Sequence, residues 1–282
     1  MAGTHRVVVS TENNPYAAWQ TKLFHYSCLS RLGQSPVVIV HESARAEWHP
    51  DFRDLVRAGA VVRRAPSYRR SFTDDYPPPN TAGTLIHAAE LCGPGDEFIV
   101  LCDPDMIFAR RPSFPSTLSG DYYPYMMDYG RAEVRAAAAR LGVTDAMIEA
   151  QREELLCGVP YVIPVADAAR VGRAWLEAIN SFDAPQRGDM MHAFGLAALK
   201  LGMRITLTHL IDHNYWQTEP LTRDVVHYCY GDAAWDKRHY FYEAQAPRVW
   251  EARGDAPPGS VLSEILTQLR EAREFYRPSP FF

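Results

Sequence analysis

The amino-acid sequence predicts an α/β fold, a sheet of buried strands flanked by helices. Three observations carry this. The first third of the chain alternates strand-like and helix-like stretches, the pattern of strands joined by helical crossovers. Val37-Val38-Ile39-Val40 is apolar throughout, as expected of a strand covered on both faces. A third apolar run, Phe98-Ile99-Val100-Leu101-Cys102, follows the turn Gly93-Pro94-Gly95-Asp96 and breaks abruptly at Asp103-Pro104-Asp105. In open α/β sheets, ligands bind beyond the carboxyl ends of the strands, which is where this polar pair would lie.

Taken in order, Arg6-Val7-Val8-Val9 reads as the opening strand within His5 to Ser10. A loop from Thr11 to Tyr16 leads to a helix over Trp19 to Leu32, closed by Gly33. Pro36 to His41 is the second strand, Asp51 to Ala58 a short helix stopped by Gly59, and Ala60-Val61-Val62 a third short strand. Together these point to a parallel sheet of nucleotide-binding character. Pro66 to Asn80 is a polar, proline-rich connection of the length usually tied to function or mobility. Thr81 to Leu91 reads as a helix leading into the strand before Asp103.

Beyond it, Arg111 to Pro124 is punctuated by prolines, and helices are expected over Arg131 to Leu141 and, with Thr144 as N-cap, Thr144 to Leu155. Cys157 to Pro164 is extended and apolar, Asp167 caps a helix to Ile179, and Asp189 to Leu201 is a helix ending at Gly202. Arg204 to Leu210 reads as a strand, Val225-Val226 as an apolar strand ending at His227, and Val261 to Phe275 as an amphipathic helix. The expected organisation is one domain over residues 1–254, with a C-terminal helix and tail over 255–282 acting as a packing arm or partner contact.

Composition narrows the function classes. The 282 residues are 47% hydrophobic and carry a net charge of −5, so a sizeable core is available and sequence-independent nucleic-acid binding is disfavoured. The 15 Tyr, 12 Phe and 6 Trp are plentiful; some belong to the core, and the rest are compatible with sugar or nucleobase ligands. The five cysteines are scattered without a CxxC pair, which fits reduced thiols better than a disulfide framework. The sequence shows no signal-peptide core and no apolar run of about 18 residues, so no membrane span is expected and the chain reads as cytoplasmic.

The chemistry concentrates at Asp103-Pro104-Asp105. Residues i and i+2 of an extended segment point the same way, so Asp103 and Asp105 can aim two carboxylates at one point. Hard oxygen ligands there suit Mg²⁺ or Mn²⁺ carrying substrate phosphates. Asp-x-Asp alone is weak, since it should occur about once by chance at ordinary aspartate frequency in a chain this long. The strand in front of it is what gives it weight. His227, at the end of the apolar run Val225-Val226, is a candidate third ligand, although such a histidine is commonly structural. Asp189, in the first turn of its helix, is a catalytic candidate or a helix cap.

Several stretches, in order, resemble one family. They are Asn14-Pro15-Tyr16 with Trp19-Gln20-Thr21, Tyr76-Pro77 with Asn80, Asp103-Pro104-Asp105-Met106-Ile107, Asp189-Met190, and His227-Tyr228-x-Tyr230-Gly231 followed by Trp235 and Asp236-Lys237-Arg238. The set looks like the plant hydroxyproline O-arabinosyltransferase and peptidyl serine α-galactosyltransferase family. The resemblance implies a GT-A-type, Rossmann-like mixed sheet and a UDP-sugar donor. It also implies a divalent metal, Mn²⁺ or Mg²⁺, and transfer to a hydroxyl-bearing acceptor, a small molecule or a peptide, with retained configuration. Carried over, Asp103 would contact the donor ribose or the metal, and Asp105 and His227 would hold the metal. Trp19, Gln20, Thr21, Asn80 and Lys237 would serve the donor site, and Asp189 would sit near the sugar and acceptor. The family's usual lysine after the asparagine is Thr81 here, and the secretory anchor expected of the plant enzymes is not read in this sequence, so the reaction class is carried over and the acceptor is not.

Two other readings compete. Asp103-x-Asp105 with Gly231-Asp232-x-x-x-Asp236 is a partial haloacid-dehalogenase phosphatase pattern, but Ile107 stands where that pattern wants Thr or Val. A transferase fold retained only for sugar-nucleotide binding is the second.

Overall fold

The computed structural model describes residues 4–43, 45, 47–69, 79–186, 188–212, 218–231 and 233–277. The connection 70–78 with Tyr76-Pro77, the stretch 213–217, Asp232 and the last five residues lie outside the described residues, and with them most of the proline-rich loop and part of the phosphatase pattern.

The strands are β1 (His5–Glu12), β2 (Val37–His41), β3 (Val61–Ala65), β4 (Phe98–Cys102), β5 (Met106–Phe108), β6 (Ser119–Tyr122), β7 (Cys157–Pro164), β8 (Thr206–Thr208), β9 (Ile211–Asp212) and β10 (Val225–His227). The helices are α1 (Pro15–Ser27), α2 (Pro50–Arg57), α3 (Pro79–Ala89), α4 (Ala132–Arg140), α5 (Asp145–Ala150), α6 (Val165–Asn180), α7 (Asp189–Lys200) and α8 (Val261–Phe275). A seven-stranded sheet runs β3-β2-β1-β4-β7-β6-β8, and a three-stranded sheet runs β5-β10-β9. This is the mixed sheet flanked by helices that the family resemblance implies. β1 and β4 are parallel, but β7 is antiparallel to both β4 and β6. A strand buried on both faces is apolar in either direction, so its composition does not encode polarity.

Chain contacts divide the protein into two compact units. One comprises residues 1–10, 65–103 and 114–209. Its sheet is built from β1, β4, β7, β6 and β8, with α3 against α6 and α6 against α7. Tyr161 from β7, Trp175 from α6 and Phe194 from α7 meet with ring centroids 4.0 to 5.2 Å apart, and all three are fully buried. The other comprises residues 11–64, 104–113 and 210–282. Its core joins Trp19 and Leu23 of α1, Ile107 of β5, Val226 of β10, Tyr228, Trp235 and the apolar face Val261, Leu262, Ile265, Leu269 of α8. The C-terminal helix, expected as an arm, therefore supplies a wall of this core.

Local boundaries follow side-chain chemistry. α1 starts at Pro15 rather than Trp19, because Asn14 caps it through the Ala17 N–H at 2.8 Å and proline suits the first helical position. A π-helical turn Cys28–Leu32 extends it to Gly33, whose φ of 69° ends it as expected. Asp167 lies within the first turn of α6, which begins after Pro164, and is not its cap. Thr144 does cap α5, accepting from the Met147 N–H, but that helix ends at Ala150. β3 lies at the edge of the sheet and is mostly exposed, and β6 falls inside the stretch read as irregular.

Candidate active site

The site is built by one strand pairing. β4 ends at Cys102, the chain turns through Asp103-Pro104-Asp105, and β5 leaves to join the small sheet. There β10 runs antiparallel to β5 with Val225 opposite Phe108, Val226 opposite Ile107 and His227 opposite Met106. The Tyr228 N–H extends the ladder onto the Asp105 carbonyl at 3.1 Å. The register sets the imidazole of His227 beside the Asp105 carboxylate, with Nε2 3.2 Å from Oδ1. Asp103, Asp105 and His227 each offer a ligand atom, all within 4.8 Å of one another.

Lys237 occupies the other side of Asp105, its ammonium bonded to Oδ2. Lys237 begins the 3₁₀ turn Lys237–Tyr240, which Asp236 caps by accepting the Arg238 N–H at 2.8 Å. Asp236 also takes the Arg238 guanidinium on both oxygens, so its carboxyl titrates below the usual range and it serves as a cap and ion-pair partner. Gly231 is needed where it stands, since a Cβ there would collide with the backbone at Trp235 and Asp236.

Electrostatics follow from burial. Desolvation disfavours the Asp105 anion, but Lys237 and His227 more than reverse this and hold its carboxyl well below the usual carboxylate range. Burial likewise opposes the Lys237 cation, and Asp105 overcomes it, so the ammonium is retained above its ordinary pKa. The Lys237 Nζ lies 5.7 Å from the Tyr16 ring centroid and 5.9 Å from that of Tyr228, within cation–π range. Burial pushes both phenols up.

The other expected donor-site residues are placed as follows. Trp19 is fully buried, stacked near Tyr228 at 6.3 Å, and donates from Nε1 to the Tyr240 carbonyl at 3.3 Å. Gln20 is buried and donates to the Tyr16 carbonyl at 2.8 Å. Thr21 is buried, bonded to the Ala17 carbonyl and to Thr11, each at 2.7 Å. Asn80, near the start of α3, accepts the Tyr68 N–H at 2.8 Å.

Asp189 has its own partners. It opens α7 and is buried, with Oδ1 2.8 Å from Arg131 Nη1 and Oδ2 accepting the Gln186 N–H at 2.7 Å. His192, one turn on, faces the Gly188 carbonyl through Nδ1 at 2.9 Å and accepts the Asp128 N–H on Nε2 at 3.0 Å. Those two bonds assign the neutral tautomer with its proton on Nδ1, and burial lowers the ring's pKa accordingly. Sequence reasoning missed Arg131 and His192. The i, i+3 spacing of Asp189 and His192 on one helix was a usable signal; nothing local points to Arg131.

The donor set fits a divalent cation. Two carboxylates and an imidazole are ligands such an ion takes. Among the described residues no helix is long and apolar enough to cross a membrane.

No family model matches the chain, and no curated protein matches it. Among solved structures it is similar to a galactosyltransferase, LgtC, crystallised with donor and acceptor sugar analogues, at a TM-score of 0.49 and 13% identity over 96% of this chain and 99% of that one. A likeness of that degree decides neither activity nor mechanism, which have to be read from the residues.

Proposed function

We propose that this protein is a metal-dependent GT-A-type glycosyltransferase that moves a sugar from a UDP-sugar to a hydroxyl acceptor with retained configuration. The observation that carries the reading is the convergence of Asp103, Asp105 and His227. Two carboxylates at a strand end gain an imidazole from a strand more than a hundred residues away, through a specific register. A resident divalent ion held by these three residues would neutralise the diphosphate as the sugar bond breaks.

Around that centre the chain's own residues take distinct parts. Lys237 is assigned to the donor diphosphate. Trp19, Gln20 and Thr21 are enclosed, so they act behind the donor wall rather than touching the donor: Trp19 packs on Tyr228, Gln20 holds the Tyr16 carbonyl, and Thr21 ties α1 to Thr11. Asn80 fixes the backbone at Tyr68, before the proline-rich connection. Asp189 orients charge at the sugar. Its two oxygens are already engaged by Arg131 and the Gln186 N–H, a poor arrangement for taking a proton. That favours retention, in which the departing phosphate can accept the acceptor's proton on the same face. The relationship to the plant arabinosyl- and galactosyltransferases is part of this proposal, for the reaction and not for the acceptor.

The first test is a thermal-shift comparison of UDP, GDP, CDP and TDP, each with and without Mn²⁺. UDP with Mn²⁺ at about a hundredfold above Kd is expected to raise the Tm by about 5 °C. No shift with any nucleotide and metal removes the reading. With a donor in hand, the anomeric linkage of the product decides stereochemistry: retention is expected, and an inverted product would make Asp189 the general base.

A further inference from the structure

We propose that Lys237 is a built-in counter-ion that makes metal and nucleoside diphosphate bind together rather than separately. The inference rests on the donor site argued above and adds a thermodynamic role for one residue of it. Both oxygens of Asp105 are engaged: Oδ2 by the Lys237 ammonium and Oδ1 by the His227 ring at 3.2 Å. The three side chains are only 8%, 13% and 11% exposed for Lys237, Asp105 and His227, so water screens their interactions little. A divalent cation arriving alone must displace the ammonium from Asp105 or sit beside it. Displacement strands a buried cation. What remains to it is neutral, the Tyr16 hydroxyl and the Tyr16 and Tyr228 rings, and the neighbouring Asp236 carboxylate is held by Arg238.

A nucleoside diphosphate changes the balance. Its phosphate oxygens offer the ammonium a new anion, and Asp105 is released to the metal. Each ligand thus removes the obstacle to the other, a positive coupling that must act equally in both directions. Lys237 acts here by exchanging partners, with no change in its protonation.

The test measures the Mn²⁺ Kd, by electron paramagnetic resonance of free Mn²⁺, with and without saturating UDP and corrected for the weak Mn²⁺–UDP complex in solution. It compares the intact protein with Lys237→Met. The ratio of the two Kd values is the coupling. In the intact protein it is expected to exceed that of Lys237→Met by at least tenfold, because the variant binds Mn²⁺ alone more tightly and UDP less tightly. A lysine that never leaves Asp105 would also weaken Mn²⁺ binding by repulsion, but its removal would leave the ratio unchanged. Ratios equal within about threefold therefore overturn the proposal. Should Lys237→Met fail to fold, the intact protein still decides, since an Mn²⁺ Kd unaffected by UDP overturns it as well. Mn²⁺ uptake under none of these conditions overturns the metal-dependent function itself, a separate result from loss of coupling.

Discussion

Asp105 is the residue on which the site turns. It is buried between an ammonium and an imidazole, and its ionisation depends on both. Removing one partner of a buried ion pair leaves the other charge uncompensated, at a cost of about 3–5 kcal/mol. Asp105→Ala is therefore expected to lose metal-dependent UDP binding and also to lose about 3 kcal/mol of stability through the stranded Lys237, read as a lower urea midpoint. Adding Lys237→Met to Asp105→Ala should recover much of that stability while leaving metal binding absent. A double variant no more stable than the single one would show that the pair contributes little to folding. Lys237 illustrates how far residue-level reading reaches. The Asp-Lys-Arg stretch marked it as functional, but its bond to Asp105, 132 positions away, belongs to the folded chain alone.

At the scale of elements, β5 and β10 are three residues each, and such short strands derive their stability from what they pack on. Ile107 and Val226 face a core whose far wall is α8, so the helix read as a terminal arm supports the sheet that carries His227. α1 is tied to the end of α8 by His25, which is fully buried with Nδ1 on the Tyr276 hydroxyl and Nε2 3.0 Å from the Ser35 hydroxyl. Burial lowers the pKa of His25 to about 4. The unfolded chain, with an ordinary histidine pKa near 6.5, binds more protons than the native state between those values, so stability is fully present above about pH 6.5 and is lost as pH falls towards 4. At about 1.4 kcal/mol per unit, the loss attributable to His25 approaches about 3.5 kcal/mol at low pH. Urea midpoints at pH 7, 5.5 and 4.5 should fall with acid, and the fall should be smaller in His25→Gln. An identical slope in the variant would assign the acid loss to other groups.

For the whole molecule, the sequence by itself determined the α/β class, most of the elements, and the strand end where the chemistry gathers. Those are local properties. The apolar run Val37–Val40, the stop at Gly33, the span of α8 and the break at Asp103 are each written within a few consecutive residues. The tertiary structure alone decided three things. It decided that β7 is an antiparallel member of the expected mixed sheet, because a doubly buried strand reads alike in both directions. It decided that the C-terminal helix is core, because an amphipathic face states that it must be covered and not by what. It decided that His227 and Lys237 take opposite oxygens of Asp105 while Asp189 pairs with Arg131, because a side chain's charge is in the sequence but its partner is set by strand register and helix packing.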